Sequence, residues 1–262
     1  MSQPYILVIP SHKRAKTLFN KTYSLLKRTN AIEPIIWLND DDDIEDYKKY
    51  IPEGVYKFGG NSIKEKRILI QDAFPLDTRI VMIDDDIKNI IVYDKENPKT
   101  KNDLIDFNDL VNLAFKEAEN QNCSLWGVYP IDNPFFMKSA YRTNLCYIIA
   151  ALFGVINKRI PTETNYAEDL ERSILYYNLE KKVLRLEFIG LSTNYYKEPG
   201  GLQETRTESK NYNDKKILAD KYPELCDLVE KHSRAEIRFK RTRAQLIPIN
   251  ISENFFTKNL KN

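Results

Sequence analysis

Three consecutive aspartates, Asp84-Asp85-Asp86, follow directly on the apolar run Ile80-Val81-Met82-Ile83. Hard divalent ions prefer carboxylate oxygen, and Mg2+ commonly takes one or two protein carboxylates with phosphate oxygens completing its shell. In an extended segment residues i and i+2 point the same way, so Asp84 and Asp86 are expected to share one Mn2+ or Mg2+ ion. Asp84 and Asp85 are also candidates to contact a bound nucleotide. An acidic turn looks identical in one dimension, because Asp is a common turn former. The place of the trio after the last strand of a βαβαβ unit favours the metal.

Cations and polar groups stand at other strand ends. The first apolar run closes as Ile9-Pro10-Ser11-His12-Lys13-Arg14. A strand-to-helix turn is a natural phosphate site, which makes Pro10, Ser11, Lys13 and Arg14 candidates, although basic residues in a first helical turn are commonly only solvated. Asn39-Asp40 ends the second run and offers acceptors for ribose hydroxyls or a base; Asp41 to Asp43 and Glu45 read as exposed loop charge. Lys64 and Arg67 lie three apart after Gly59-Gly60-Asn61-Ser62 and share a helix face. That face meets either a diphosphate or solvent. Asn165-Tyr166-Ala167-Glu168-Asp169 opens another helix. Asn165 with Glu168 has the spacing of a capping box, and Asp169 has the setting of an ionised carboxylate near a helix N-terminus, a candidate general base.

Later signals are looser. Gly200 and Gly201, in Glu198-Pro199-Gly200-Gly201-Leu202, suit either a loop closing over a ligand or an ordinary turn. Residues 231–243 carry six Lys or Arg against one Glu. Arg234, Arg238, Lys240, Arg241 and Arg243 are thus candidates for nucleic-acid backbone contact, with a solvated basic tail as the plain alternative. His12 and His232 lack ligand spacing, His232 being an outside candidate for a late third ligand.

These residues need a scaffold. Tyr5 to Ile9, Pro34 to Leu38 and Ile80 to Ile83 read as buried strands, separated by helices over 13–28 and about 63–73. Such alternation predicts a mainly parallel sheet with ligands at the carboxyl ends of its strands. Further on, a helix is expected from Phe107 to Asn120, a strand over Leu125 to Tyr129, a helix from Glu168 to Leu179 and a strand from Val183 to Leu191. Residues 198–216 read as a loop, with helices from about Asp214 to Asp220 and from Glu224. The expected division is a nucleotide-binding catalytic domain over 1–205 and a basic helical extension over 206–262 packed on it.

Bulk composition narrows the class. Net charge is +2 although 30% of residues are charged, so no partner follows from overall charge. The most apolar stretch, Leu145 to Ile156, is too short to cross a bilayer and fits a buried helix or strand. Three cysteines without metal-like spacing read as reduced thiols. With no signal peptide read at the N-terminus, the chain is expected in the cytoplasm (a host's, if viral or phage) and away from membranes.

Taken together, Ile9–Arg14, Gly59–Arg67, Val81–Ile87 and Asn165–Arg172 fall in the order used by GT-A glycosyltransferases. More narrowly, the chain resembles the TET-associated glycosyltransferases of phages, viruses and some eukaryotes, themselves related to the J-base glucosyltransferases. VMIDDDI, AEDLERS, YYKEPGGLQETR and DKKILADKYPEL carry that resemblance over about residues 5 to 230. It implies a GT-A, Rossmann-like α/β fold, with Asp86 as principal metal ligand, Asp84 on ribose or metal, and Asp169 as base in an inverting displacement. It further implies transfer of a hexose, glucose foremost, from a UDP-sugar to a hydroxymethylated pyrimidine in DNA. Rival readings are a carbohydrate, lipid or protein acceptor, nucleotidyl transfer on a related fold, and a non-catalytic nucleic-acid module.

Overall fold

The computed structural model describes residues 4–193, 207–231, 234–240, 246–249 and 254–260. Four short apolar runs form the parallel part of the sheet: β1 (Ile6–Pro10), β2 (Ile35–Leu38), β3 (Val55–Phe58) and β4 (Arg79–Ile83). They lie in the order β3-β2-β1-β4, with Val8 of β1 facing both Ile35 and Met82. Both central strands are buried on two faces, which is why their sequences read as continuous apolar runs.

Beyond β4 the sheet becomes mixed. Strand β9 (Leu152–Ile156) runs antiparallel between β4 and β7 (Leu125–Tyr129), and β7 lies parallel to β10 (Leu184–Thr193). The hairpin β5 (Ile87–Tyr93) and β6 (Lys101–Asp103) adds to the C-terminal half of β10, while β8 (Ala140–Arg142) and β13 (Leu246–Pro248) form the far edge. The apolar stretch 145–156 is thus a loop followed by a strand. At Gly154 a Cβ would lie 2.3 Å from the Trp126 ring, so β9 slots against that fully buried indole only as glycine.

Helices cover the sheet. A helical segment built from α1 (Ala15–Leu18), a π-turn (Phe19–Tyr23) and α2 (Ser24–Arg28) follows β1. The short α3 (Ile44–Lys48) follows β2, and α4 (Ile63–Asp72) precedes β4. Ser62 caps α4 by accepting the Glu65 N–H. Gly60 enters that cap at φ +79°, where a Cβ would meet the Lys66 amide nitrogen at 2.8 Å. Helix α5 (Phe107–Asn120) is capped by Asp106 and buries Phe107, Leu110, Val111, Ala114, Phe115 and Ala118, an i, i+3, i+4 stripe that makes it amphipathic. Helix α6 (Glu168–Glu180) carries the acidic motif in its first turn.

The segment expected to be a basic helical extension is mixed. Helix α7 (Glu208–Lys221) begins well before Asp214, inside the expected loop. The helix expected from Glu224 is a hairpin, β11 (Cys226–Lys231) with β12 (Arg234–Phe239). Ile237 and Phe239 pack on the cluster of Ala167, Ile174, Leu218 and Cys226, whereas Arg238 between them stays exposed. That alternation has period two, which specifies a strand. Strand β13 pairs with β8, and α8 (Asn254–Asn259) sets Phe256 5.1 Å from Phe188. All three cysteines are free and buried. Among the described residues no helix is long and apolar enough to cross a membrane.

Candidate active site

The aspartates occupy a tight turn between β4 and β5, not an extended segment. The i, i+2 premise therefore fails, and each side chain takes its own direction. The Asp84 N–H donates to Ala151 O at 3.0 Å. The Thr22 hydroxyl donates to Asp84 O at 2.7 Å and accepts the Ile87 N–H at 2.9 Å, bridging the turn from the π-helical segment. Such π-turns recur at functional sites. In the sequence Thr22 looks like one more member of an apolar helical stripe.

Asp85 is buried and structurally committed. Its Oδ2 accepts the Ser11 hydroxyl at 2.6 Å and its Oδ1 accepts Arg14 Nη1 at 3.1 Å. Asp84 Oδ1 accepts Arg67 Nη2 at 3.2 Å, and 35% of the Asp84 side chain remains exposed. Asp86 Oδ1 accepts the Thr193 hydroxyl at 3.2 Å, with Arg14 Nη1 3.6 Å from Oδ2. Burial, and then the charges of Asp86 and Asp85 against the opposing pull of Arg67, push the Asp84 carboxyl up to about 7. Burial and the Asp85 charge raise Asp86 as well. Each carboxylate has one arginine alongside and part of its side chain exposed, and such oxygens are of the type a hard divalent cation takes. Among the described residues no three His, Cys, Asp or Glu side chains converge as a metal cluster. An ion here would rely on phosphate oxygens and water for the rest of its shell.

The first two strand ends form one polar knot. Ser11 is buried; besides Asp85 it meets the Tyr47 hydroxyl at 3.0 Å, its N–H donates to Trp37 O, and its carbonyl accepts Lys66 Nζ. Neither Ser11 nor Pro10, buried at the end of β1, presents a side chain free for phosphate. Lys13 adopts φ 53°, donates its N–H to Asp42 Oδ1 at 2.9 Å and sets Nζ 3.9 Å from Asp41. Asp42, expected as exposed loop charge, is the centre of this knot. Its side chain is 1% exposed, meeting His12 Nδ1 at 3.1 Å through Oδ1 and accepting the Asn39 N–H at 2.8 Å through Oδ2. Asp40 is exposed, and Asn39 is buried beneath it. Lys66, which sequence reasoning passed over, lies buried between these turns, and burial lowers it to about 8 despite Asp42 and Asp85 nearby.

On the other side of the cleft, α4 faces α6. Arg67 is buried and reaches Asp84, Ala150 O at 3.3 Å, and Glu168. Lys64 does not join it: its N–H donates to the Asn165 side chain and its Nζ to Glu163 O. The capping box is absent. Ala167 holds the N-cap position without a side-chain bond, and Asp214 of α7 accepts the N–H groups of Asn165 and Tyr166 at 2.8 and 2.7 Å. Glu168 is instead buried between Arg67 and Arg172, accepting Arg172 Nη1 at 2.7 Å. The Arg172 guanidinium lies 3.6 Å from the Phe153 ring centroid, and its Nε and Nη2 have no hydrogen-bond partner. Burial, and then Arg172, lowers Arg67 to about 10. Asp169 Oδ2 accepts the Tyr147 hydroxyl at 2.5 Å. Arg67 meets Asp84 and also Glu168, the chain neighbour of Asp169, so one buried arginine ties the 84–86 turn to the start of α6.

The remaining candidates stand apart. Gly200, Gly201, Arg241, Arg243 and His232 lie outside the described residues, as does the Arg234 side chain. Arg238, 68% exposed, and Lys240 both approach Asp227 across the hairpin, at 3.6 and 3.4 Å.

No family model matches the chain, and no curated protein matches it in sequence. Solved structures do match in shape. Glucosyl-3-phosphoglycerate synthase of Mycobacterium tuberculosis aligns at 10% identity over 94% of this chain and 90% of its own, TM-score 0.52. A structure of that synthase with Mn2+, UDP and glucosyl-3-phosphoglycerate aligns at 9% identity over the same 94% and 90%, TM-score 0.48. A CMP-2-keto-3-deoxy-manno-octonic acid synthetase with CTP aligns at 7% identity over 70% and 89%, TM-score 0.39. At these identities the likeness is one of fold, and the first match carries it. The chain has the α/β fold of GT-A nucleotide-sugar transferases, with its carboxylate turn at the carboxyl edge of the parallel strands.

Proposed function

We propose that the protein is a metal-dependent glycosyltransferase that moves a hexose, glucose foremost, from a UDP-sugar to an acceptor hydroxyl. The observation that carries this reading is the 84–86 turn. Asp84, beside Arg67, and Asp86, beside Arg14, both keep side-chain surface exposed at the strand ends, and Arg67 also reaches Glu168 at the start of α6. Asp84 and Asp86 hold Mn2+ or Mg2+ against the diphosphate, and Asp85 with Ser11 and Arg14 keeps the turn in place. A divalent ion held by these carboxylates would supply counter-charge to the UDP leaving group. The acceptor oxygen forms the new bond to that carbon, its proton passes to Asp169, and UDP departs, in one displacement with inversion. The Mn2+ and UDP bound by the fold neighbour support this donor class.

For the acceptor, the resemblance to TET-associated glycosyltransferases favours a hydroxymethylated pyrimidine in DNA, with the β11–β12 hairpin and the basic residues after it against the backbone. One observation favours the rival, a carbohydrate, lipid or protein acceptor: Asp227 already offsets the charge of Arg238 and Lys240. Incubating hydroxymethylated DNA with Mn2+ and a panel of sugar nucleotides, then weighing the released nucleosides, separates them. A hexose mass on one base is expected. Donor turnover with every base unmodified would remove the DNA reading, and absence of any donor turnover would remove the enzyme.

A further inference from the structure

The acceptor side of the cleft is organised by one short segment, Tyr147 to Ala151. The Tyr147 hydroxyl donates to Asp169 Oδ2 at 2.5 Å, and the other carboxylate oxygen, Oδ1, accepts the Leu170 N–H at 2.9 Å. One residue on, the Ile148 N–H donates to Ser173 Oγ at 3.1 Å, and that hydroxyl donates to Asp169 O at 2.8 Å. The far end of the segment reaches the ion side. Ala150 O accepts Arg67 Nη2 at 3.3 Å and Ala151 O accepts the Asp84 N–H at 3.0 Å. A stretch of five residues therefore spans from the α6 carboxylate to Asp84. Its contacts at 148, 150 and 151 use the backbone and persist whatever side chains stand there. At 147 the contact is made by a side chain, and it falls on the carboxylate itself.

We propose that Tyr147 is a positioning residue for Asp169. With Oδ1 on the Leu170 N–H and Oδ2 on the phenol, the carboxylate plane is fixed at both ends while the residue stays partly exposed. A general base works only within hydrogen-bond reach of the proton it takes, and small misplacements cost large factors in rate. Without the phenol the carboxylate is tethered at one oxygen and turns about its Cβ–Cγ bond. Tyr147 touches neither ion nor donor in this role; it acts through Asp169.

This inference rests on Asp169 being the base, and the test keeps the two failures apart. Mn2+-dependent release of UDP from UDP-glucose, with water taking the acceptor place, is measured for wild type, Asp169→Asn, Tyr147→Phe and the double variant. Thermal stabilisation by UDP and Mn2+ is followed in each. The expected result is a fall in kcat of about 10- to 100-fold in Tyr147→Phe, with KM for UDP-glucose and the stabilisation by UDP and Mn2+ unchanged. In the Asp169→Asn background the same substitution costs nothing further, because its effect runs through the carboxylate. An unchanged kcat in Tyr147→Phe, a loss that multiplies with that of Asp169→Asn, or a variant that no longer folds or binds UDP and Mn2+ would overturn the positioning role. Full hydrolysis in Asp169→Asn would instead remove the base, and this inference with it. A wild type neither stabilised by UDP and Mn2+ nor releasing UDP would remove the donor reading beneath both.

Discussion

At the residue scale the carboxylates of the 84–86 turn divide their labour by direction. Asp85 is a structural anchor, its two oxygens taken by Ser11 and Arg14, and the open edge of the turn belongs to Asp84 and Asp86. Replacing Asp86 by Ala should abolish the rise in melting temperature given by Mn2+ with UDP and lower donor turnover at least 100-fold. The pH dependence has a definite sign. Asp84 is raised from 3.8 to about 7 in the folded chain. The metal-free folded state therefore binds more protons than the unfolded state between those values, and its stability falls as pH rises through that window. An ion must displace the same proton below about 7. Stabilisation by Mn2+ and UDP should thus be larger at pH 8 than at pH 6, as two thermal melts with and without the ligands would reveal. Thr22→Val is the complementary probe. Leaving Asp84 O and the Ile87 N–H without their shared hydroxyl should cost about 1–3 kcal/mol in urea unfolding and loosen the turn that aims the carboxylates.

At the element scale, α4 and α6 are joined by a buried ion pair, not by the capping motif written in their sequence. Glu168 lies between Arg67 and Arg172. Glu168→Gln leaves the buried Arg172 without its ion-pair partner and Arg67 with Asp84 alone, and should destabilise the protein by about 3–5 kcal/mol. Asn165→Ala should cost much less, because no capping box depends on it. Chemical denaturation of the two variants tests the order. The β11–β12 hairpin teaches the same caution about charge: a run of cations that looked like a tail or a helix face alternates with Ile237 and Phe239, which pack inward.

At the scale of the whole molecule, the described elements near the C-terminus are built into the fold. Strand β13 extends the large sheet at β8, and Phe255 and Phe256 lie in the main core with Phe188. Phe256→Ala should cost about 3–5 kcal/mol, and removing residues 246–262 should lower the melting temperature of the entire chain in calorimetry, not merely trim a tail.

Local pattern was enough to place the candidate residues at strand ends. Continuous apolar runs marked β1, β2 and β4 because strands buried on both faces need no alternation, and the residues directly after each run had to fall at the carboxyl edge. The α6 motif could be placed for the same kind of reason, its apolar stripe having helical period. Tertiary structure alone decided which polar side chains were left for a ligand. Hydrogen bonds between residues tens of positions apart committed Ser11 and Asp85 to each other, drew Asp42 and Lys66 inside, turned Glu168 from cap to ion pair, and set Tyr147 on Asp169. Apart from the i, i+4 contact of Glu168 with Arg172, none of those pairings has a period or a spacing, since each depends on where the folded sheet carries its loops.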